Sequence, residues 1–343
     1  MKAGFTRAAT PLVLNDMGRI MTNGRDLEAE RPRHAYDDLL NRCRALDPLV
    51  TSVVFPCEAT ALTGAVEAAH ARLITPTLVG PRKRILQVAQ EVGLNITSFE
   101  IDDVPDALSA AAKAVESVIT GRSDVLMKGS LHTDELMAPV VATGTGLRTS
   151  RRISHAFVMA VPNYPKPLIV TDAVVNIAPS LDDKRDICQN AIDLVHCLGR
   201  TAPKVAILSA VEEVTTRIPS TIDAAALCKM ADRGQITGAI LDGPLAMDNA
   251  ISLDAAKTKG LVSAVAGDAD VLVVPNIEAG NILAKQFIFL ANADAAGVVL
   301  GAKVPVILTS RADSVRTRMA SCGVALLLAH ASRSTRLQPS ITS

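Results

Sequence analysis

Short apolar runs alternate with amphipathic stretches along almost the whole chain, and this alternation constrains the fold more than any single motif. Ten runs read as strands: Thr51–Phe55, Thr77–Gly80, Val125–Lys128, His155–Val161, Leu168–Thr171, Val205–Ser209, Ala239–Leu241, Val271–Val274, Gly297–Leu300 and Val304–Leu308. Several are Val-, Ile- and Leu-rich on both faces, as strands buried between layers of helices are. Between them, helices are expected at Glu58–Arg72, Arg82–Val92, Asp106–Thr120, Thr133–Val141, Asp182–Leu198, Ala224–Arg233, Met247–Thr258, Ile277–Leu290 and Ser314–Ala331. Ser180 precedes Asp182 and Asp183 as an N-cap, and Gly93 and Gly234 stand where helices should stop. Strand–helix alternation of this kind specifies an α/β protein with mostly parallel sheets. A chain of 343 residues is long for one core, so two domains are expected, crossing near the non-helical break Ala142–Ser150. The first thirty-odd residues and the tail after Ser332 are polar and weakly patterned.

Composition narrows the function. Lys+Arg and Asp+Glu number 35 each, so no net charge draws the chain to nucleic acid or to an anionic membrane. Aromatic residues make up 2% and Trp is absent, which removes the stacking platforms of single-strand binders. Cys43, Cys57, Cys188, Cys197, Cys228 and Cys322 form no C-x-x-C pair. They read as buried thiols in a reducing compartment, with no zinc or iron–sulfur site. Arg7, Arg19, Arg25, Arg31 and Arg33 dot the N-terminus without the apolar core of a secretory signal, and no stretch is apolar enough to span a bilayer. The expectation is a soluble, cytoplasmic protein without metal, membrane or nucleic-acid partners.

The run Val304–Leu308 stops at Thr309-Ser310-Arg311, and a helix is expected at once. Hydroxyls, a guanidinium and unpaired helix N–H groups should therefore meet at the carboxyl end of a strand. That combination suits an anion, and open α/β sheets bind ligands along this edge. Arg favours phosphate because its planar fork donates two parallel hydrogen bonds. Lys128-Gly129-Ser130-Leu131-His132-Thr133 repeats the arrangement, with Gly129 admitting a close ligand and Thr133 placing a hydroxyl at a helix start. Either turn alone reads equally well as ordinary capping; two in one chain favour a phosphorylated small molecule.

Leu147–His155 gathers Arg148, Arg151 and Arg152 with three hydroxyls, as a solvated basic loop or as a cleft wall. After the strand Val271–Val274 come Asn276, Glu278, Asn281 and Lys285, the last three sharing one helix face. Asp242 and Asp248 are too few ligands for a metal. G-x-G-x-x-G after a strand, Walker A, G-x-S-x-G and H-E-x-x-H are all missing.

Taken in order, Met127–Thr133, Leu147–His155, Val170–Pro179, Gly238–Pro244, Gly267–Asn281 and Thr309–Ser314 resemble the phosphate acetyl/butyryltransferase (phosphotransacylase) family. The likeness covers about Leu49 to Ala331, and Gly267–Asn281 is its most specific block. It implies two three-layer αβα domains with an inter-domain cleft, as in the isocitrate and isopropylmalate dehydrogenases, and usually a homodimer. It also implies a discontinuous first domain, residues 1–150 plus 306–343, and a second at 151–305. The implied reaction moves a short acyl group, acetyl to butyryl, between coenzyme A and inorganic phosphate. Coenzyme A is then a co-substrate, and no cofactor or metal is bound.

The same resemblance places Ser310 and Arg311 at the phosphate, with Asp313 and His132 as candidate bases. Lys128, Gly129, Thr133, Arg148, Arg152, Asn276, Glu278 and Asn281 are the expected substrate-binding residues. One departure stands out: Val315-Arg316-Thr317-Arg318 carries no acid where the acetyl-specific branch has an aspartate, and the Lys128 and Arg148 motifs look closer to the butyryl type or to the transferase half of proteins fused to an enoyl-hydratase-like domain. The alternatives are a metal- and NAD-dependent dehydrogenase on a related fold, or a non-catalytic acyl-CoA-binding relative.

Overall fold

The computed structural model describes residues 33–144 and 147–337, preceded by two short antiparallel strands, Val13–Leu14 (β1) and Ile20–Met21 (β2). Most of the weakly patterned N-terminus and the last residues of the tail lie outside the described residues. The first stretch runs α1 (Arg33–Cys43), β3 (Leu49–Val54), α2 (Ala59–His70), β4 (Ile74–Gly80), α3 (Arg82–Glu91), β5 (Glu100–Asp103), α4 (Ala107–Ile119), β6 (Val125–Lys128) and α5 (Thr133–Val141). The next runs β7 (Ser154–Ala160), β8 (Leu168–Thr171), α6 (Leu181–Cys197), β9 (Lys204–Leu208), α7 (Pro219–Asp232), β10 (Ile240–Leu245), α8 (Met247–Ile251), α9 (Leu253–Thr258), β11 (Val271–Val273), α10 (Ile277–Phe289) and β12 (Asp294–Leu300). The short β13 (Val306–Ile307) and the long α11 (Val315–Leu337) close the chain.

Eleven strands form one continuous sheet in the order β10-β9-β11-β8-β7-β12-β13-β6-β3-β4-β5. Both flanks are parallel; only the central pairings β8–β7, β7–β12 and β12–β13 are antiparallel. The mostly parallel α/β expectation therefore holds. β6 and β8 are buried at every position, as strands covered on both faces must be.

α11 ties the sheet together. Cys322, Ala325 and Leu326 pack into the core around β3, β4 and α2, while Ala320, Val324 and Leu328 pack into the core around α6, β9 and β12. Truncating a fully buried leucine such as Leu326 removes transfer free energy and leaves a cavity, at a cost of about 2–5 kcal/mol. Among the described residues no helix is long and apolar enough to cross a membrane.

Every expected strand is present, β6 and β8 with the expected ends and the others with shifted ends. Three details differ. Met247–Thr258 is two short helices, because Ser252 leaves helical geometry and caps the second through Ala255 N–H. α7 begins at Pro219, five residues before the expected Ala224, since proline at the first position suits a helix start. α11 begins at Val315, not directly after Ser310-Arg311: Ser314 Oγ accepts from Thr317 N–H at 3.1 Å and so caps it.

Candidate active site

The carboxyl ends of β3, β6 and β13 lie side by side, because β6 pairs in parallel with both neighbours. Beyond the strands the ladder continues: Gly129 N–H donates to Val54 O and Ser130 N–H to Phe55 O, each at 2.9 Å. Ser130 Oγ then donates to Phe55 O at 2.7 Å and accepts from Cys57 N–H at 3.0 Å. This welds the β6 turn to the β3 turn. A β-carbon on Gly129 would stand 2.5 Å from Phe55 O. The glycine is thus required by the approach of two backbones, which corrects the reason for it read from sequence.

After β13 the chain makes a tight loop. Ser310 N–H donates to Asp313 Oδ2 at 2.6 Å, and Asp313 N–H returns to Ser310 O at 3.1 Å. The expected junction of Ser310 with fresh helix donors is corrected accordingly: three residues separate Ser310 from the capping Ser314, and the loop's own N–H groups are partly used within it. Arg311 is exposed on this loop.

Electrostatics unite these pieces. Lys128 is 3% exposed, and its pKa is pushed down to about 8, first by burial and then by the charges of Arg318 and Arg311; Glu58 and Asp313 oppose this. Burial raises the Asp313 carboxyl above its usual value, against the pull of Ser310 N–H and of the cations Arg318, Lys285 and Lys128. Arg318, Arg311, Glu58 and Asp313 thus act on Lys128, and Arg318, Lys285 and Lys128 act on Asp313, residues drawn from β6, the β13 loop, α11, α10 and the start of α2. Four cations against two acids leave a net positive charge along this strand edge, which favours an anion.

A second knot sits at the end of β8. Asp172 Oδ1 accepts from the N–H groups of Val174 and Val175 at 2.9 and 3.0 Å, and Oδ2 accepts from Asn176 Nδ2 at 2.5 Å. Asn176 Oδ1 accepts from Arg152 Nε at 2.7 Å, and Asp183 Oδ1 lies 3.4 Å from the same nitrogen. Asn281 Nδ2 reaches Ala173 O at 3.2 Å, and a β-carbon on Gly280 would stand 2.9 Å from Asp172 O, so α10 packs directly on this turn. Between the two knots lies His155, fully buried, with neither ring nitrogen in a hydrogen bond among the described residues. Its ring borders Gly297 beside the Leu308 carbonyl. Burial pushes its pKa down, partly offset by Asp172 and by that carbonyl.

The profile of the phosphate acetyl/butaryl transferase family matches residues 104–326. The chain belongs to this family. A phosphate acetyltransferase of Rhizobium meliloti is 62% identical over 86% of this chain and 93% of its own. A phosphate butyryltransferase of Clostridium beijerinckii is 39% identical over 86% of this chain and 97% of its own. The crystal structure of a branched-chain phosphotransacylase from Enterococcus faecalis V583 superposes with TM-score 0.72 at 29% identity, covering 82% of this chain and 99% of that one. Membership makes this chain a transferase.

Within the transferase, Lys128 ends β6 and Ser310, Arg311 and Asp313 lie on the loop after the neighbouring β13, with Arg311 and Asp313 both acting on Lys128. Arg152, Asn276 and Asn281 gather instead around the β8 and β11 ends, where Asn276 Oδ1 caps α10 by accepting from Ala279 N–H at 2.9 Å. Glu278 is exposed in the first turn of α10. His132 is exposed at the N-cap of α5, with its backbone N–H donating to Glu135 Oε2 at 2.6 Å, and Thr133 is the first helical residue. Arg148 pairs its backbone with Ala302, ahead of β13 and away from the strand end that carries Ser310.

Sequence reasoning passed over Arg318, Lys285's link to Asp313, Asp172, Asn176 and His155. Arg318 had a readable signal: it shares the buried stripe of α11 with Cys322 and Ala325, where a charge is out of place. Arg316, two residues away, serves the fold by a fork to Asp294 at 3.1 and 2.9 Å while stacking 3.7 Å from the Tyr36 ring centre.

Proposed function

We propose that the cation cluster at the ends of β6 and β13 binds inorganic phosphate and catalyses acyl-CoA + phosphate ⇌ CoA + acyl phosphate. The observation that carries this reading is that Arg318, Arg311 and Asp313 all act on buried Lys128, on the edge where open α/β sheets take ligands. Arg311 grips two phosphate oxygens and Lys128 adds a point charge. A phosphate oxygen attacks the thioester carbonyl; the C–O bond forms, the C–S bond breaks, and the sulfur leaves as thiolate and takes a proton. In reverse, Asp313 accepts the thiol proton as the C–S bond forms and phosphate departs. A base in that place is worth on the order of 10²–10⁴-fold. Ser310 and Thr133 hydrogen-bond the developing oxyanion or phosphate, and Gly129 holds the floor of the site. Arg152, Asn276, Glu278 and Asn281 line the coenzyme side, His132 sits at its margin, and Arg148, bridged to Ala302, has no part in it.

A covalent acyl-cysteine is not part of the scheme. Cys57, the thiol beside the β3 turn, has its pKa pushed up to about 11 by burial, so thiolate is scarce. The acyl preference we assign is acetyl, supported by the acetyltransferase name of the 62% identical relative against 39% for the butyryltransferase, despite the butyryl-like motifs. The finer architecture belongs to the same proposal: two αβα domains, 1–150 with 306–343 and 151–305, of dehydrogenase-like form around a cleft. The return of β13 beside β6 supports it. A cytoplasmic location and a homodimer are proposed with it. Phosphate-dependent thiol release from acetyl-CoA and butyryl-CoA tests the reading: a higher kcat/KM with acetyl-CoA supports it, and release from neither substrate refutes it.

A further inference from the structure

Arg318 is 1% exposed, among the least accessible large side chains of the protein. Its Nη1 donates to Thr309 Oγ1 at 2.8 Å and reaches Lys128 O at 3.5 Å, and its Nη2 donates to Ser310 O at 2.9 Å. Nε has no partner, and no carboxylate among the described residues is within ion-pair distance. Burying a guanidinium against neutral oxygens is costly, and an apolar side chain would pack α11 at less expense of desolvation. The fork must therefore do something that packing does not. Its three acceptors belong to the two strand ends that carry Lys128 and Ser310. α2 makes room for it: a β-carbon on Gly64 would lie 2.6 Å from Arg318 Cδ and 3.2 Å from its Cβ.

We propose that Arg318 is a positioning residue for the phosphate site, a buried brace that sets the ends of β6 and β13 so that Lys128, Ser310 and Arg311 face one anion. Gly64 is its seat. This rests on reading that cluster as the phosphate site. Bound phosphate adds to the counter-charge that Asp313 and Glu58 supply from beyond ion-pair distance.

The test is steady-state kinetics of the full chain, varying phosphate and acetyl-CoA separately, with melting temperature measured in parallel. Arg318→Met should raise KM for phosphate on the order of 10- to 100-fold while moving KM for acetyl-CoA far less. Arg318→Lys keeps the charge without the fork and should recover part of that loss. Gly64→Ala alters no polar group yet should raise KM for phosphate by displacing the Arg318 stem, and it should add nothing in an Arg318→Ala background. A lower melting temperature with unchanged KM for phosphate in Arg318→Lys and Gly64→Ala overturns the positioning role, even where Arg318→Met fails to fold. Arg311→Ala run alongside separates the two claims. If it also leaves KM for phosphate unchanged, the phosphate-site reading fails and the brace with it; if it alone raises KM, only the brace fails.

Discussion

Asp313 Oδ2 accepts the Ser310 N–H at 2.6 Å, so the only acid on the loop after β13 also holds that loop shut. In the proposed mechanism that one carboxylate both shapes the phosphate grip and takes the proton.

Asp313→Asn keeps an oxygen for the Ser310 N–H and loses the base. The expected outcome is a fall in kcat of about 10²-fold or more with little change in melting temperature. Burial raises the Asp313 pKa, so in the wild type the base is protonated and lost as pH falls through that raised value. With acyl phosphate and CoA as substrates, the acid limb of the kcat/KM profile should therefore lie above the pKa of about 3.9 of a free aspartate, and should vanish in Asp313→Asn.

Lys128 gives the opposite limb. It is a cation below about pH 8 and neutral above, because burial and two arginines depress its pKa. Phosphate capture should be intact below that pH and weaken as pH rises through it, seen as a drop in kcat/KM for phosphate, the parameter that reports the free enzyme. Lys128→Met should start weak and lose this basic limb. A wild-type profile flat through pH 9 would contradict the assignment.

Cys57→Ser should leave turnover near that of the wild type, and initial-rate lines should intersect as a ternary complex requires. Parallel lines with an acyl group trapped on Cys57 would show a covalent route instead.

Gly297 lets β12 pass under both the Leu308 carbonyl and the His155 ring. Gly297→Ala forces a β-carbon to 3.0 Å from His155 Nε2 and closer still to Leu308 O, at a cost of about 1–3 kcal/mol. A melting temperature lower by several degrees, with reduced kcat because Leu308 leads into the site loop, is the expected result; an unchanged melting temperature would show that the strand relaxes freely.

The strand–helix order could be read from the sequence because parallel strands under helices are apolar on both faces, as in β6 and β8. β5 could not: Glu100-Ile101-Asp102-Asp103 is acidic because it is an edge strand, paired only with β4. α1 was hidden by its polar composition, although Tyr36, Leu39 and Cys43 follow helical spacing and pack on the core. The loop after β13 announced itself through residue type, whereas the brace beneath it did not. Arg318 acquires its role from where α11 sets it against Gly64 and two strand ends, relationships of 190 and more residues in chain separation for its contact with Lys128. The antiparallel centre of the sheet was equally hidden, since β7 and β12 carry the same apolar character as parallel strands.

The most direct measurement is the phosphate dependence of thiol release from acetyl-CoA in wild type and Arg311→Ala. Loss of a charge-assisted fork predicts a fall in kcat/KM for phosphate of about 10- to 150-fold, with KM for acetyl-CoA changed much less. Equal phosphate kinetics in the two proteins would place the phosphate elsewhere and overturn the site described for this enzyme.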